Sequence, residues 1–599
     1  MNRTRGPGGR GRTPHGAGIG AAPDGSFDRA TSLRRLADEE FDVLVIGGGI
    51  TGAGVALDAA SRGLRTALVE RADFASGTSS KSSKMVHGGL RYLQQRELRL
   101  VYENLAERQR LLENAPHLVT PLPFLIPLFG RSGVLSRTVA RSYATALWLY
   151  DMTGGLRIGR RHRRISREES LDHLPTLRTD RLVAGFVYFD ARADDARLTL
   201  AILRTAACDH GAVAANYTSA VELLTDDAHT VTGARVRPVV RPGSAGSFGE
   251  AAEGPDFDVR ASVVVNASGV WADDVRALDE ETHPQSLRPA KGIHVTVPAA
   301  LLPCDIAAVV PAPSDRRSIF VVPWPGGDRT YVGTTDSPYD GPLDRPTPTP
   351  EDVAYLLDAV NAATTTQIRP SDVTGVWAGL RPLLAPPPDG RHLSERTADL
   401  SRRHSVRTSA HGLVTVTGGK LTTYRKMAED TMAAVVTLLG DRAPAGAARC
   451  ATRRLRLRGA PGRGGLATID RPGGLDDATA AHLLARYGTE AASVAALADG
   501  RRELLEPLVP GLPYLALEAL YAVREEMAQS IEDILSRRTR ALLEDARATA
   551  AAADAVAALV APELGWAPEE AIQQAEHFAA QAREELDAAG VTATLGGRP

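Results

Sequence analysis

Cysteine is scarce in this chain: its 599 residues include three, Cys208, Cys304 and Cys450, and no two of them form a CxxC pair. This spacing excludes a disulfide scaffold and a cysteine-built zinc site, and it is typical of a reducing compartment. An excess of charge of one sign is also lacking, because the formal net charge is -2. We therefore expect no nucleic-acid partner and no metal site, and any anion site must be local.

Long apolar runs are missing as well. No stretch approaches the ~20 uninterrupted apolar residues of a membrane-spanning helix, and the N-terminus has no apolar signal core. Because the first residues are rich in Gly, Arg and Pro, residues 1–40 are expected to form a disordered tail. These absences indicate a cytoplasmic protein whose contact with a membrane is limited to the surface.

The sequence after this tail alternates strand and helix patterns. The apolar run 43–46 has the β-branched composition of a buried parallel strand, and the small-residue segment 53–62 predicts a helix. We expect an α/β fold in which a Rossmann-like nucleotide-binding domain is interleaved with a mixed-sheet substrate domain over 41–440. The substrate part is expected mainly at about 225–400, and a helical C-terminal domain at 455–590.

The glycines after the first strand form a dinucleotide-binding fingerprint. Gly47, Gly49 and Gly52 fill the three positions of GxGxxG: a tight turn, close approach to a pyrophosphate, and close packing of helix on strand. Glu70 closes the second strand, where a carboxylate accepts hydrogen bonds from ribose hydroxyls. The order of strand, glycines, helix, strand and acid distinguishes this pattern from an ordinary glycine-rich turn.

Two later segments favour FAD over NAD as the nucleotide. A valine-rich strand leads into the turn 266–269, which contains Ala267 and Gly269, and a further strand leads into Gly418 and its neighbouring glycine. Segments this far apart that converge on one cofactor suit a long dinucleotide buried across a sheet. Because the chain has no second GxGxxG, FAD is expected to be the only redox cofactor.

The segment 77–92, with the sequence GTSSKSSKMVHGGLRY, is more specific. It resembles the FAD-dependent, quinone-linked glycerol-3-phosphate dehydrogenases almost residue for residue. The segment 401–404 departs from the family pattern at Arg403, where family members usually carry an acidic residue. Shorter segments match the same family in the same order: KGIH at 291–294, GTTD at 333–336, GLRPL at 379–383, TGGKLTTYR at 417–425 and DILSRRT at 533–539.

The resemblance implies oxidation of sn-glycerol 3-phosphate to dihydroxyacetone phosphate, by hydride transfer to flavin N5. Electrons would pass to a membrane quinone, which places the protein on the inner face of the cell membrane. The expected partners are therefore glycerol 3-phosphate, a quinone, the lipid surface and a second copy of the chain in a homodimer. A glycerol-3-phosphate oxidase that uses dioxygen is the main alternative. An amine or amino-acid oxidase and a flavoprotein without turnover are weaker ones.

Contacts to FAD are expected from the matched motifs. Hydroxyls of the serine-rich block can bind pyrophosphate and flavin edges, and the glycines after His87 would let the backbone pass close to the isoalloxazine. The expected cofactor-binding residues are Gly47, Gly49, Gly52, Glu70, Thr78, Ser79, Ser80, Ser82, Gly88, Gly89, Ala267, Gly269, Gly418, Lys420, Leu421 and Thr422.

Two histidines lie inside the matched motifs. Oxidation of a secondary alcohol requires loss of the hydroxyl proton, and histidine is the usual base because its pKa lies near the working pH. His87 is the favoured base. His294 is the alternative base, and it otherwise orients the substrate oxygen.

The substrate phosphate requires cations, and a guanidinium group can give it two parallel hydrogen bonds. Arg381 follows three apolar or small residues, an unusual place for a charge without a function. Lys420 supplies a point charge near the flavin. The expected catalytic residues are His87, His294, Arg381 and Lys420. The expected substrate-binding residues are Arg91, Tyr92, Arg381, Arg402 and Thr423.

A membrane-facing region is expected after the segment 77–92. The apolar run PFLIPLF at 123–129 is too short to cross a bilayer, and its prolines prevent a continuous helix. The segment 134–152 has helical spacing, with Leu147 and Tyr150 on its apolar side and Arg141 on another. A core helix is the alternative. Because quinone is confined to the bilayer, we expect the apolar run and this apolar side to contact lipid.

Overall fold

A computed structural model describes residues 27–90, 92, 97–130, 137–239, 254–280, 282, 284–315, 317–385, 403–462, 469, 472 and 474–591, without the side chains of 137–140 and 155–156. The strands are β1 Glu40–Ile46, β2 Thr66–Val69, β3 Met85–Val86, β4 Val119–Phe129, β5 Arg163–Ile165, β6 Leu182–Ala193, β7 Val213–Ala215, β8 Thr218–Thr225, β9 Val231–Pro238, β10 Phe257–Asn266, β11 Ala290–Pro298, β12 Ala307–Pro311, β13 Ser318–Pro323, β14 Arg329–Gly333, β15 Ser337–Pro338, β16 Gly375–Arg381, β17 His404–Thr408 and β18 Val414–Gly418. The helices are α1 Arg29–Asp38, α2 Ile50–Ser61, α3 Leu98–Asn114, α4 Arg137–Met152, α5 Arg167–His173, α6 Asp195–Arg204, α7 Ala272–Glu280, α8 Pro350–Ala363, α9 Tyr424–Leu439, α10 Asp477–Tyr487, α11 Ala491–Ala495, α12 Ala516–Glu526, α13 Ala541–Glu544, α14 Ala546–Ala551, α15 Ala553–Leu564 and α16 Pro568–Ala588.

The first sheet is the nucleotide-binding sheet that the sequence predicts. Its strand order is β17-β18-β10-β1-β2-β7, and β9 and β8 extend it beside β10. Strands β1, β2, β7, β10 and β18 run parallel, and Ile46 at the end of β1 lies opposite Val69 and Asn266. The glycine turn therefore lies at the carboxyl edge of the sheet, where α/β folds of this kind bind ligands.

The second sheet has the order β15-β11-β14-β13-β12-β4-β6-β3, with β16 also on β11 and β5 on β6. Its strands come from residues 85–193 and 290–381, so the expected substrate part at about 225–400 needs correction. The segment 218–266 belongs to the first sheet, because β9 pairs with β10 and β10 pairs with β1. The interleaved α/β fold itself is confirmed, and the chain passes from the first sheet to the second and back twice.

Order begins before the predicted start at residue 41. Helix α1 lies within the expected disordered tail of residues 1–40, and Met1 to Ser26 lie outside the described residues. The carboxylate of Asp28 caps α1 by accepting from the Thr31 amide at 2.8 Å, and Leu36 is fully buried in the core beside β1. A capped helix with a buried leucine has the contacts that a disordered segment lacks.

The apolar run at 123–129 lies in the core and does not face lipid. It forms most of β4, which pairs with β6 and β12, and Phe124 is 1% exposed while Leu125 is 0% exposed. The helix expected at 134–152 is present as α4, but Leu147 and Tyr150 on its apolar side are buried. The expectation that these residues contact lipid is therefore wrong. No helix among the described residues is long and apolar enough to cross a membrane.

The helices from α10 to α16 form the C-terminal unit that the sequence predicts. They enclose their own apolar clusters and dock on the second sheet through backbone groups. The Ala546 amide donates to the Thr374 carbonyl at 2.8 Å, and the Thr296 hydroxyl donates to the Leu543 carbonyl at 2.7 Å. A β-carbon on Gly375 would lie 2.1 Å from that same carbonyl oxygen, so only glycine permits this contact.

Candidate active site

The glycine turn between β1 and α2 has the geometry of a pyrophosphate cradle. Gly47 has a φ of +113°, and a β-carbon on Gly52 would lie 1.9 Å from the Gly47 carbonyl oxygen. Gly49 is the N-cap of α2. The turn therefore leaves no room for side chains at Gly47 and Gly52, and it places the positive end of α2 at the carboxyl edge of the sheet.

Glu70 and the turn after β10 complete this edge of the sheet. The Glu70 carboxylate accepts from the amides of Gly48 at 2.7 Å and Ala72 at 2.8 Å. Burial raises the pKa of Glu70 above its usual value, while these two donors counteract the rise. Ala267 donates to the Ile46 carbonyl at 2.9 Å, and among described residues no heavy atom lies within 4 Å of a β-carbon built on Gly269.

The serine-rich block connects the two sheets. Ser79 accepts from the Ile50 amide at 2.9 Å, and the Thr78 hydroxyl donates to the Leu380 carbonyl at 2.6 Å. Ser82 donates to Asp195 through its hydroxyl at 2.7 Å and its amide at 3.0 Å. These hydroxyls bind protein groups and place the block between the cradle and the second sheet. Cofactor contacts from Thr78, Ser79, Ser80 and Ser82 stay predictions.

His294 lies on β11 in a buried aromatic environment. Its Nε2 is 2.8 Å from the Ser83 hydroxyl, and its ring stacks on Trp377. A β-carbon on Gly333 would lie 1.9 Å from the imidazole, so this glycine makes room for the ring. Burial lowers the pKa of His294 well below its usual value, and Lys84 and Arg381 lower it further. The imidazole is therefore neutral at working pH.

Arg381 is fixed on the same face of the second sheet. His294 lies opposite Trp377 and Ala290 lies opposite Arg381 in the antiparallel pair of β11 and β16. The guanidinium donates to Asp336 at 3.1 Å, to the Thr334 hydroxyl at 3.1 Å and to the Thr335 carbonyl at 2.9 Å. Its side chain keeps 21% of its surface exposed, so an anion can reach an already oriented guanidinium.

His87 lies at a rigid turn between β3 and α3. Its amide donates to the Thr422 hydroxyl at 3.2 Å, which joins the turn to the segment after β18. The next amide, that of Gly88, donates to the Tyr150 hydroxyl at 2.9 Å and to Asp190 at 3.1 Å. The Gly88 carbonyl accepts from the Asn104 amide group at 2.9 Å. The backbone beside His87 is thus held on both sides.

Lys420 and Tyr92 are brought together. The Lys420 ammonium lies 3.8 Å from the centroid of the Tyr92 ring, a cation–π contact. Gly89 has a φ of +81°, and a β-carbon there would lie 2.3 Å from this ring. Gly418 has a φ of +76°, and Leu421 begins the short turn that follows Lys420.

Three predicted substrate contacts have different outcomes. The Thr423 hydroxyl donates to the Lys420 carbonyl at 3.3 Å, and Thr423 is buried, so its visible role is to fix the lysine turn. Arg91 and Arg402 lie outside the described residues. Arg403 is described and lies 3.6 Å from the Glu97 carboxylate at the surface.

Several residues near the site were missed by sequence reasoning. Tyr150 and Asp190 support Gly88, Trp377 stacks on His294, and Asp195 binds Ser82. No motif marks Asp190, Asp195 or Trp377. Tyr150 was assigned to an apolar helix side, although a buried tyrosine hydroxyl usually requires a polar partner.

The open cradle, the turn at Gly269 and the cation at Lys420 fit the pyrophosphate and ring system of a dinucleotide. Consistent with this, residues 42–425 match the family model described as FAD dependent oxidoreductase, and residues 450–571 match the C-terminal domain of alpha-glycerophosphate oxidase. The fold and the site define an FAD-dependent oxidoreductase.

Relatives narrow this class. Glycerol-3-phosphate dehydrogenase 2 of Mycobacterium tuberculosis is 41% identical over 95% of this chain and 93% of its own length. Human mitochondrial glycerol-3-phosphate dehydrogenase is 39% identical over 88% of this chain and 71% of its own. The crystal structure of glycerol-3-phosphate dehydrogenase from Bacillus halodurans with FAD superposes with a TM-score of 0.71, at 31% identity over 95% of this chain and 99% of that one. The chain belongs to the FAD-dependent glycerol-3-phosphate dehydrogenase family.

Proposed function

We propose that the protein oxidises sn-glycerol 3-phosphate to dihydroxyacetone phosphate. The observation that carries this proposal is the placement of Arg381 and His294 on one face of the pair of β11 and β16. That face meets the serine-rich block, because a β-carbon on Gly379 would lie 2.5 Å from the Lys81 carbonyl oxygen. When bound, FAD supplies the acceptor for the hydride of the substrate carbon.

Arg381 binds the phosphate group in this proposal. Its contacts to Asp336 and Thr334 fix the guanidinium plane before substrate arrives, so little side-chain entropy is lost on binding. A phosphate dianion is attracted by the positive charge of such a group and can accept a charge-assisted hydrogen bond from it, whereas an uncharged polyol gains much less. The substrate class is therefore a small phosphorylated alcohol.

His87 removes the hydroxyl proton, and His294 orients the same oxygen. His294 is neutral because burial, Lys84 and Arg381 all disfavour its charged form. A neutral imidazole can form a hydrogen bond with the substrate without placing a second positive charge beside Arg381. Lys420, stacked on Tyr92, contributes the positive charge near the cofactor. Arg91 retains its predicted role as a second phosphate ligand.

Electrons pass from the reduced protein to a membrane quinone, and a defined surface supports this part of the proposal. Leu98 and Tyr102 on α3 are exposed, as are Trp148 and Met152 on α4, each of the last two at 58%. Arg157, which follows α4, contacts α3, because its guanidinium lies 4.9 Å from the centroid of the Tyr102 ring. The exposed arginines that follow α4 are Arg157, Arg160, Arg161, Arg163 and Arg164.

This α3–α4 surface, defined by these four apolar residues and five arginines, has the chemistry of a peripheral membrane contact. Aromatic and apolar side chains enter the headgroup region while arginines bind anionic lipid. Dioxygen is the second candidate acceptor, because the C-terminal family model is named for an oxidase.

The test is anaerobic mixing of the FAD-loaded protein with sn-glycerol 3-phosphate, followed by loss of the oxidised flavin absorbance. Reduction by this substrate and slower reduction by glycerol are expected. A reduced sample is then mixed with a soluble quinone analogue or with dioxygen. Faster reoxidation by quinone supports the dehydrogenase, and rapid peroxide formation would instead indicate an oxidase. Failure of glycerol 3-phosphate to reduce the flavin would contradict the substrate assignment.

A further inference from the structure

A buried arginine of the C-terminal unit reaches the active-site block. Arg540 lies between the π-helical segment Asp533–Arg538 and α13, and it is 2% exposed. Its Nη2 donates to the Ser80 carbonyl and, at 2.9 Å, to the Asp195 carboxylate. Its Nη1 donates to the Ser536 carbonyl at 2.7 Å. A single guanidinium therefore ties the C-terminal unit to two points beside the site.

Asp195 collects donors from the same block. Its carboxylate accepts from the Lys84 ammonium at 3.0 Å and from the Ser82 amide and hydroxyl. Burial would raise the pKa of Asp195, but Lys84 and Arg540 hold it below its usual value. A buried carboxylate with two cationic partners and several hydrogen bonds is a fixed anchor, because moving it would leave buried charges and donors without their partner.

The segment 80–84, held at this anchor, contacts the site on its other side. The Ser83 hydroxyl is 2.8 Å from His294 Nε2, and the Ser83 carbonyl accepts from the Tyr331 hydroxyl at 3.1 Å. Lys84 has a φ of +55°, a conformation that a lysine rarely adopts without support. Its ammonium also donates to the Ser80 carbonyl at 3.1 Å, which closes the segment into a loop.

We infer that Arg540 is a positioning residue through which the C-terminal unit holds segment 80–84 against His294. The chain of contacts runs from Arg540 to Asp195, from Asp195 to Ser82, and from neighbouring Ser83 to His294. This assigns the C-terminal unit a part in the reaction, and it rests on the proposed role of His294. Displacement of a reacting group by about 1 Å can cost 10²-fold in rate.

Arg540→Ala removes both donor nitrogens, and Arg540→Lys keeps the charge but cannot hold the Ser536 carbonyl at the same time as the Ser80 carbonyl and Asp195. Arg204→Ala is the matched control. Arg204 is equally buried and also joins α6 to the C-terminal unit, through Glu490 at 2.6 Å. It therefore tests whether weakened docking alone explains any effect.

Hydrogen exchange of the peptide covering 80–86 gives a readout that is independent of activity. Arg540→Ala and Arg540→Lys are expected to speed exchange at Ser82 and Lys84, whose amides donate to Asp195 and to the Ser82 hydroxyl. The control variant is expected to leave this peptide unchanged. Unchanged exchange in both Arg540 variants would overturn the inference, whatever their activity.

The second readout is the rate constant for flavin reduction by glycerol 3-phosphate. Both Arg540 variants are expected to lose about 10- to 100-fold in this rate constant, with less than about twofold change in substrate dissociation constant because Arg381 is untouched. Added guanidinium ion is expected to restore part of the rate in Arg540→Ala only. An equal loss of this rate constant in Arg204→Ala would mean that Arg540 acts only by docking the C-terminal unit. If the unaltered protein is not reduced at all, the proposed function fails while the exchange result still decides the role of Arg540 in holding the segment.

Discussion

The rings of His294 and Trp377 lie face to face, with centroids 4.7 Å apart and an interplanar angle of 7°. Trp377 is itself held, because its indole nitrogen donates to the Ser82 carbonyl at 3.4 Å. Gly333 lies against the edge of the same imidazole. The imidazole is therefore confined to one plane and presents its nitrogens in fixed directions.

The two histidines are expected to respond differently to substitution. His87→Asn should slow flavin reduction by about 10²-fold or more and remove the fall in rate toward acid pH, because a base must be deprotonated. His294→Asn should lower the rate but retain that acid limb, since the pKa of His294 is already well below its usual value. Rate constants for flavin reduction from pH 5 to pH 9 provide the measurement. Loss of the acid limb in His294→Asn would transfer the role of base to His294.

Arg381→Ala is expected to act on phosphate recognition. Loss of a charge-assisted contact to a buried dianion costs ~2–5 kcal/mol, which predicts a decrease of about 30-fold or more in kcat/KM for glycerol 3-phosphate. Slow oxidation of glycerol should change much less. Arg329→Ala, which removes a partly buried arginine paired with Asp545, is the control for general damage to the second sheet. Equal losses on both substrates would assign Arg381 to the fold.

Glu544 is expected to make stability depend on pH. Burial raises its pKa from 4.5 to about 7. The unfolded chain therefore loses this proton at a lower pH than the folded protein does. The contribution of protonated Glu544 to the free energy of unfolding is fully present below about pH 4.5, and it is lost as the pH rises through 7.

Glu544→Gln should consequently stabilise the protein at pH 8, by up to about 3 kcal/mol, and have little effect at pH 4. Glu518→Gln is the control of opposite sign. Burial would raise the pKa of Glu518, but His482 and Arg486 lower it, so its charged form stabilises the fold at neutral pH. Thermal midpoints of the three proteins at pH 4, 6 and 8 test both expectations. A Glu544→Gln midpoint below that of the unaltered protein at pH 8 would contradict the first.

The α3–α4 surface is expected to bind anionic vesicles. Replacing Trp148 and Met152 by Ser should lower the vesicle partition coefficient by about 30-fold or more, because each apolar contact with the interface contributes ~1–2 kcal/mol. Ile572→Ser, an equally exposed apolar residue on α16, serves as the matched control. Sedimentation with vesicles of anionic lipid provides the measurement, and turnover with a soluble dye should persist.

Charge provides a second arm of this test. Arg161→Gln with Arg164→Gln should weaken binding and flatten its salt dependence, whereas the same change at exposed Arg442 and Arg502 should not. If neither the Trp148 and Met152 variant nor the Arg161 and Arg164 variant binds vesicles more weakly, the docking surface lies elsewhere.

The local part of the fold could be predicted from sequence. Strand β1, the glycine turn and α2 lie within a few residues of one another, and their pattern has only one compatible geometry. The prediction that residues 123–129 face lipid was wrong because their pattern is compatible with more than one structure. A β-strand buried on both faces and a lipid-facing segment are equally apolar, so composition at 123–129 could not distinguish β4 from a lipid contact.

The supporting residues of the site depend on contacts between distant segments. Arg540 and Ser80 are 460 positions apart, and Asp190 and Gly88 are 102 apart. Spacing along a chain carries no information about such pairs. The motif histidines and Arg381 could be proposed as site residues because each belongs to a short matched segment, whereas no motif marks the carboxylates Asp190 and Asp195.

The pairing of β1 with β10 also constrains how the chain is made. About two hundred residues separate the two strands, so β1 emerges from the ribosome long before this neighbour exists. At 5–20 residues per second the interval is roughly 10 to 40 s. During it, one hydrogen-bonding edge of an apolar strand stays unpaired, which is the condition under which nascent chains aggregate or recruit chaperones. Synthesis rate between β1 and β10 therefore bears directly on the yield of folded protein.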